Sequence, residues 1–266
     1  MKRITFLLLC LLAINLHTRA QCKCENTAFQ AGETLQYKLF FNWKFVWVNA
    51  GTATLKTSAY EKDKFRCHLL THSSKKIDKF FMMRDTMESI VDKDLVPLYY
   101  KKAANEGGKY YVDEVWYSYP ANQTHLKQRY VNRRGEVRDT AQNCLECAYD
   151  MLSMMLRARS FDVSNFQKGQ KIVFPMADGR RVNKETLIYR GKKNFQMEGT
   201  KETYRCLVFS FVEYKKKKEN EIITFYVTDD ENHMPVRLDL FLKFGTAKAF
   251  LNRAEGLRNP VTSIVK

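Results

Sequence analysis

Two pairs of cysteines carry the sharpest chemical signal in this sequence. Cys144 and Cys147 are spaced as CxxC, and Cys22 and Cys24 as CxC. CxxC spacing permits a redox disulfide, especially at a helix N-terminus, where the pKa of a thiol is lowered. A thioredoxin-like site, however, follows a buried strand within a βαβ unit, whereas the polar run 138–143 precedes this motif. We therefore favour a structural disulfide or ordinary thiols, and a zinc site built from both pairs is the remaining alternative.

The other potentially reactive side chains form weaker patterns. His68 and His72 share a face of a predicted strand, but strand geometry separates residues four apart by about 13 Å, too far for one metal ion. The acidic run Asp229-Asp-Glu-Asn232 lacks the alternating ligands of a calcium loop and predicts a turn. The sequence contains no GxSxG, phosphate-binding glycine loop or HExxH. We predict no catalytic residue, cofactor or metal site, and no reaction can be named.

The first 20 residues have the pattern of a secretory signal peptide. A basic start is followed by the apolar run 4–16, and Ala20 is a small residue suited to cleavage. The apolar run is too short to span a bilayer, and no convincing lipobox precedes a cysteine. We predict cleavage after Ala20 and export to a periplasm or the exterior, where disulfides are plausible. Six cysteines then remain as candidate disulfide or free-thiol residues, and they allow 15 pairings: Cys22, Cys24, Cys67, Cys144, Cys147 and Cys206.

The chain is strongly basic, with a formal net charge of +16. The predicted leader holds three of the 45 basic residues and no acidic residue, so the mature chain keeps 42 basic against 29 acidic residues and a net charge of +13. A basic surface favours acidic partners such as lipid headgroups or acidic glycans. The basic residues occur in short groups, as expected for solvated turns and protected strand edges. Export argues against a nucleic-acid partner.

Alternation of apolar residues predicts a mainly antiparallel β fold. The least ambiguous part is 204–244, where three strands with polar turns between them form a meander. Glu106-Gly-Gly-Lys109 predicts a hairpin, about a dozen short strands follow from similar patterns, and Pro97 is expected at a strand edge or a strand start. One amphipathic helix is predicted over Cys144–Arg159, with Asn143 as N-cap and Glu146 in a capping box. Glu146, Asp150, Ser153 and Arg157 form its polar stripe at helical spacing. We expect a curved open barrel or two packed sheets with this helix against them, as a single domain over 21–266.

Three stretches of the sequence form a recognisable order. The opening is Ala28-Phe-Gln-Ala-Gly-Glu33 with Ala50-Gly-Thr-Ala53, the central helix contains Tyr149-Asp-Met-Leu-Ser153, and the closing segment is Thr228-Asp-Asp-Glu-Asn-His-Met-Pro-Val236. Taken in this order, they resemble the DUF3108 family of exported Gram-negative proteins. The resemblance covers about residues 28–250 and is strongest to the Bacteroides group. It implies a mostly β, periplasmic protein, and it brings no catalytic residues.

The absence of catalytic motifs, the aromatic strands and the basic charge together favour a binding protein. We predict a non-enzymatic carrier of an envelope lipid or glycan, with Trp43, Trp47 and Trp116 as candidate cavity-lining residues. The alternatives are an interaction module that binds an envelope protein, marked by an exposed apolar patch, and a polysaccharide hydrolase, which needs two carboxyl groups about 5–10 Å apart.

Overall fold

The computed structural model describes residues 22–43, 46–197, 200–216, 218–242 and 245–265, so the predicted signal peptide lies outside the described residues. The first half of the chain contains β1 (Thr34–Trp43), β2 (Val46–Ala59), β3 (Lys64–Ser73), α1 (Lys75–Asp78), β4 (Met83–Asp92), β5 (Pro97–Glu106), β6 (Lys109–Ser118), β7 (Thr124–Val131) and β8 (Val137–Cys144). The second half contains α2 (Met151–Arg159), β9 (Lys171–Ala177), β10 (Val182–Gln196), β11 (Thr203–Lys215), β12 (Lys218–Thr228), β13 (Pro235–Leu242), β14 (Gly245–Glu255) and β15 (Ile264–Val265). No described helix is long and apolar enough to cross a membrane.

These strands form one antiparallel sheet with a simple order. From one edge to the other, neighbouring strands follow the order β8, β7, β6, β5, β4, β3, β2, β1, β14, β13, β12, β11, β10 and β9. Strand β15 pairs with β11 outside this order. Almost every strand therefore pairs with its sequence neighbour, as short polar turns dictate. The long-range pairing is β1 with β14, which brings the two halves of the chain together. The predicted mainly β fold, the 204–244 meander and the 106–109 hairpin are confirmed.

The two-residue period of the strands places alternate side chains on opposite faces of the sheet. A ladder of mostly alternating charges crosses the outer face of β2–β8, each residue directly opposite the next: Lys56, His68, Glu88, Lys101, Glu114, Arg129 and Asp139. The adjacent row is buried on the inner face: Thr57, Cys67, Ser89, Tyr100, Val115 and Gln128. A register slip of one residue would bury the charged row, so the ladder fixes which face is internal.

The β9–β10 turn brings the far edge of the sheet back onto the inner face. Arg180 forms two hydrogen bonds to Asp113 on β6, at 2.8 and 2.9 Å, and Gln128 on β7 donates to the Arg181 carbonyl at 3.2 Å. Gly179 has a φ of +87°, and a Cβ atom there would lie 2.7 Å from the Asp113 Cβ. A glycine is therefore needed where this turn meets β6.

Helix α2 is shorter than the sequence predicted and begins seven residues later. Residues 137–144 are strand β8, and α2 starts at Met151 with Asp150 as N-cap, which accepts hydrogen bonds from Leu152 N and Ser153 N. The predicted cap at Asn143 and Glu146 is wrong, because Asn143 belongs to β8 and residues 145–150 form a non-helical segment in which Tyr149 bridges to β9. The Tyr149 backbone there bonds to Pro175 O and Ala177 N on β9. Asp150 and Ser153, predicted on a polar stripe, are buried.

Helix α2 is fixed inside the curved sheet by polar contacts at both ends. Asp150 Oδ2 accepts a hydrogen bond from Ser89 of β4 at 3.0 Å. At the other end, Arg159 forms a bidentate pair with Glu33 at 2.5 and 2.8 Å, and Arg159 Nε donates to Asn232 O at 3.1 Å. Leu152 and Leu156 pack in a core cluster drawn from both halves of the chain, and Met154 packs in a second cluster that consists mostly of residues of β9–β12. The helix therefore lies between the two halves of the sheet.

Candidate functional site

An apolar groove separates α2 from the inner face of the second half of the sheet. The helix contributes three methionines, and strands β9–β13 contribute aromatic and branched side chains, around a cavity of about 90 Å³. The strand residues alternate, with Phe209 and Phe211 on β11 beside Ile223 and Phe225 on β12, so one face of each strand lines the groove. The charged side chain at its end, Arg159, is neutralised by Glu33. The lining is thus almost wholly apolar.

A wider and more polar cavity adjoins this groove. Its volume is about 390 Å³, and it is lined by residues of the 146–149 segment, α2 and β9. Met154 and Phe174 line both cavities, so these two side chains stand between them. Arg157 lines the wider cavity, where its guanidinium lies 5.3 Å from the centre of the Tyr149 ring and Nη1 donates to Cys22 O at 2.7 Å. Glu146 also lines the wider cavity, so an apolar surface and a surface with both charges lie side by side.

The methionines give the groove walls an unusual ability to adapt. Methionine is unbranched and has three rotatable bonds, so it repacks around different apolar shapes with little strain. Met151, Met154 and Met155 fall on consecutive turns of α2, and Met176 lies across from them on β9. Since Asp150 caps the helix from a buried position, the backbone that carries these methionines is fixed while their side chains retain freedom.

A disulfide joins Cys22 to Cys147 at the mouth of the wider cavity. The CxxC partner Cys144 is a free thiol at the end of β8, and Cys24, Cys67 and Cys206 are also free. Burial raises the pKa of Cys67 and Cys206 to about 12, and it also raises the pKa of Cys24 and Cys144. Such thiols have little thiolate at neutral pH. The bond ties the segment before β1 to the segment before α2.

The structure also places the candidate metal ligands. Within the described ranges, no three His, Cys, Asp or Glu side chains converge to hold an ion. His68 lies on the outer charge ladder, 3.1 Å from Glu88, and the disulfide occupies two of the four cysteines of the zinc alternative. Asp229 binds Lys192 and Arg205, while Asp230 accepts hydrogen bonds from Thr228 and Ser263. Residues 229–232 form the expected turn.

Two of the candidate tryptophans, Trp47 and Trp116, line neither cavity. Trp47 is 40% exposed, with Lys248 Nζ 4.3 Å from its ring centre. Trp116 is 38% exposed on the outer face of β6, where it packs beside Tyr99 and Arg129. The side chain of Trp43 lies outside the described residues. The aromatic residues of the groove are instead phenylalanines of β9, β11 and β12, which sequence reasoning did not single out.

Three buried carboxyl groups have raised pKa values. Burial raises the pKa of Asp150 and of Asp85 to about 6, and nearby Glu106 adds to the rise at Asp85. Burial, with the neighbouring charge of Glu213, raises the pKa of Glu185 to about 7. Glu185 Oε2 has no hydrogen-bond partner within the described chain, and its residue pairs with Phe174 across β9 and β10. Asp150 has a structural role as helix cap, whereas Glu185 is an unpaired acid beside the groove.

Comparison with solved structures supports the fold. The chain is similar to the crystal structure of a beta-barrel-like protein of domain of unknown function DUF1849 from Brucella abortus, with 10% identity, a TM-score of 0.57, and coverage of 86% of this chain and 99% of that chain. It is also similar to a putative exported protein with a YmcC-like fold from Bacteroides fragilis, with 9% identity, a TM-score of 0.31, and coverage of 87% and 99%.

Sequence comparison identifies the family. No curated protein matches the chain. A family model described as protein of unknown function (DUF3108) matches residues 36–252. This match spans most of the chain, including every strand from β2 to β13, and it agrees with the resemblance noted in the sequence. The chain belongs to the DUF3108 family.

Proposed function

We propose that this protein is a non-enzymatic carrier for an acidic amphiphile of the cell envelope. The groove between α2 and β9–β13 would hold the acyl portion of the ligand, and the wider cavity would hold its headgroup. The observation that carries this proposal is the groove itself, with a cavity of about 90 Å³ surrounded by methionine and phenylalanine side chains. A mostly apolar lining with a few polar groups is the usual composition of a small-molecule site.

The size of the two cavities is consistent with an amphiphile once the methionines move. The inner cavity is smaller than the roughly 300–1,000 Å³ of typical ligand sites, whereas the adjoining cavity of about 390 Å³ falls in that range. Rotation of Met154, which lines both cavities, would join them. An apolar lining favours an acyl chain over a glycan, because a buried sugar needs hydrogen-bond partners for its hydroxyl groups.

Charge supports an acidic headgroup. Arg157 uses one nitrogen, Nη1, for the Cys22 carbonyl, and a guanidinium has five N–H donors in total. Its remaining donors suit a carboxylate or phosphate, which arginine binds in a bidentate manner. The predicted net charge of +13 after leader removal would also favour the approach of an anion.

Export is part of the proposal. Residues 1–20 would be removed as a signal peptide, leaving 21–266 as a single domain in the periplasm or outside the cell. The Cys22–Cys147 disulfide supports this, since such bonds persist in oxidising compartments. The bond would also place the segment before β1 beside the headgroup cavity from the start of folding in that compartment.

Native mass spectrometry and probe binding test the carrier function. Protein isolated from its own periplasm should carry an acyl-containing small molecule, and delipidated protein should bind a fluorescent fatty acid. Ile223→Trp fills the groove and should weaken probe binding at least tenfold. Leu70→Trp, on the outer face of β3, is the matched control and should bind normally. A protein that carries no small molecule, and whose probe binding Ile223→Trp leaves unchanged, would not be a carrier of this kind.

A further inference from the structure

One end of the sheet exposes a set of large apolar side chains. The start of β2, the end of β13 and the connection between α1 and β4 lie at this end. We define the apolar rim as Val46, Trp47, Phe80, Phe81, Phe241 and Leu242. All six are exposed, with Phe80 at 86% and Phe81 at 51%. A phenylalanine that is almost fully exposed gains nothing from folding. Several large apolar side chains left exposed at one end of a sheet are typical of an interaction site.

Hydrogen bonds link the elements that carry the rim residues. Ser74, which caps α1, bonds to Ala50 O and Asn49 O next to Trp47 on β2. The Gly107 amide donates to Met82 O at 2.7 Å, which ties the turn after β5 to the segment that follows Phe81. On the other side, Leu242 pairs with Gly245 at the start of β14, the strand that pairs with β1.

Four lysines without acidic partners lie on the elements next to Phe80 and Phe81, on and after α1 and at the start of β6. Lys75, Lys76, Lys79 and Lys109 are exposed, and none forms an ion pair within the described chain. The acidic residues closest in sequence are already engaged: Asp78 binds Arg84, and Glu106 accepts from Tyr111. The rim therefore combines exposed aromatic rings with uncompensated positive charge.

We infer that the apolar rim and its lysines dock on an anionic lipid bilayer. Aromatic rings insert at the level of the lipid headgroups, while lysines near the surface gain from the negative potential of anionic lipids. A stable peripheral contact generally needs both contributions, and both occur here on one end of the sheet. This inference goes beyond the carrier function, because it uses residues that line neither cavity.

The test is co-sedimentation of the full mature chain with vesicles. Binding is expected to vesicles containing about a third phosphatidylglycerol in phosphatidylcholine, to be much weaker with pure phosphatidylcholine, and to fall as salt is raised because charges are screened. The double substitution Phe80→Ser with Phe81→Ser should weaken the partition coefficient at least tenfold. Lys75→Glu with Lys76→Glu should abolish the preference for anionic lipid. Leu145→Ser removes an equally exposed side chain outside the rim and should leave binding unchanged.

Several results would overturn the inference. The first is that the protein does not bind anionic vesicles. The second is that the double variant Phe80→Ser with Phe81→Ser binds vesicles as well as the parent protein. The third is that Leu145→Ser weakens vesicle binding as much as this double variant does. Light scattering adds another: if the protein dimerises and the Phe80–Phe81 variant becomes monomeric while vesicle binding is unaffected, the rim is a contact between copies. Ile223→Trp separates this inference from the carrier function, because it should weaken probe binding at least tenfold and retain vesicle binding.

Discussion

Removal of one partner of the buried ion pair between Glu33 and Arg159 should strongly destabilise the folded state. Their side chains are 1% and 2% exposed, and the pair joins the start of β1, the end of α2 and the loop before β13 through Asn232. Arg159→Met would leave the Glu33 carboxylate buried and without its cationic partner. Removing one partner of a buried pair costs about 3–5 kcal/mol, which is a large part of a typical total stability of about 5–15 kcal/mol.

A double-mutant cycle measured by urea denaturation tests this value. Glu33→Leu with Arg159→Met removes both charges, so the double variant should be more stable than Arg159→Met alone by about 2 kcal/mol or more. The exposed pair Arg129–Asp139 is the matched control, since it has the same bidentate geometry at 2.8 Å on the outer face. Arg129→Met should leave the urea midpoint almost unchanged, because exposed pairs are screened by water and salt.

The reasoning would be refuted by a small effect in the buried pair. If Arg159→Met shifts the midpoint no more than Arg129→Met does, burial does not control the strength of these pairs. If the double variant is no more stable than Arg159→Met, the cost comes from lost packing of the arginine stem and not from an unpaired carboxylate. The double variant also keeps the test usable if Arg159→Met does not fold.

Three further predictions concern the disulfide, the β9–β10 turn and pH. Cys22→Ser should lower the free energy of unfolding by about 2–5 kcal/mol, because the bond closes a loop of 125 residues; a urea midpoint equal to that of the parent protein contradicts this. Gly179→Ala should destabilise by more than about 1 kcal/mol because its Cβ would meet Asp113, and Gly135→Ala, with a similar φ and open space, should cost less in the same thermal-melt comparison. Since the pKa of Glu185 is raised from 4.5 to about 7, the folded state binds a proton more tightly than the unfolded state. Glu185 should therefore contribute a fall in stability of about 1–3 kcal/mol as pH rises from about 4.5 past 7. Urea midpoints measured at pH 5 and 8 should show a smaller fall for Glu185→Gln than for the parent protein, and the remaining fall comes from Asp150 and Asp85, whose pKa values are raised to about 6.

The strand framework could be predicted from sequence because its cause is local. Alternating burial follows from the two-residue period of a strand. Tight turns such as Glu106–Lys109 need glycine for their positive φ angles, and the glycines are visible in the sequence. Pro97, predicted at a strand edge or start, begins β5. The order of the sheet then follows largely from pairing of neighbours.

The helix start shows where local reasoning fails. Asp150 and Ser153 are polar, and sequence periodicity placed them on a solvated stripe of a helix from 144. In the folded chain both are buried, because Asp150 caps α2 and accepts from Ser89, a residue 61 positions away. The partner that makes burial of a carboxyl group tolerable comes from another strand, so no local pattern could reveal it.

The sequence by itself determined the mainly β character, the turns, the basic charge and the family, since each depends on neighbouring residues or overall composition. Only the tertiary structure decided that Cys147 pairs with Cys22 rather than with Cys144, and that Phe209, Phe225 and Met154 surround a cavity. The physical reason is that alternation tells which side of a strand is apolar. Whether that side meets another side chain or an open space depends on how elements distant in sequence approach each other.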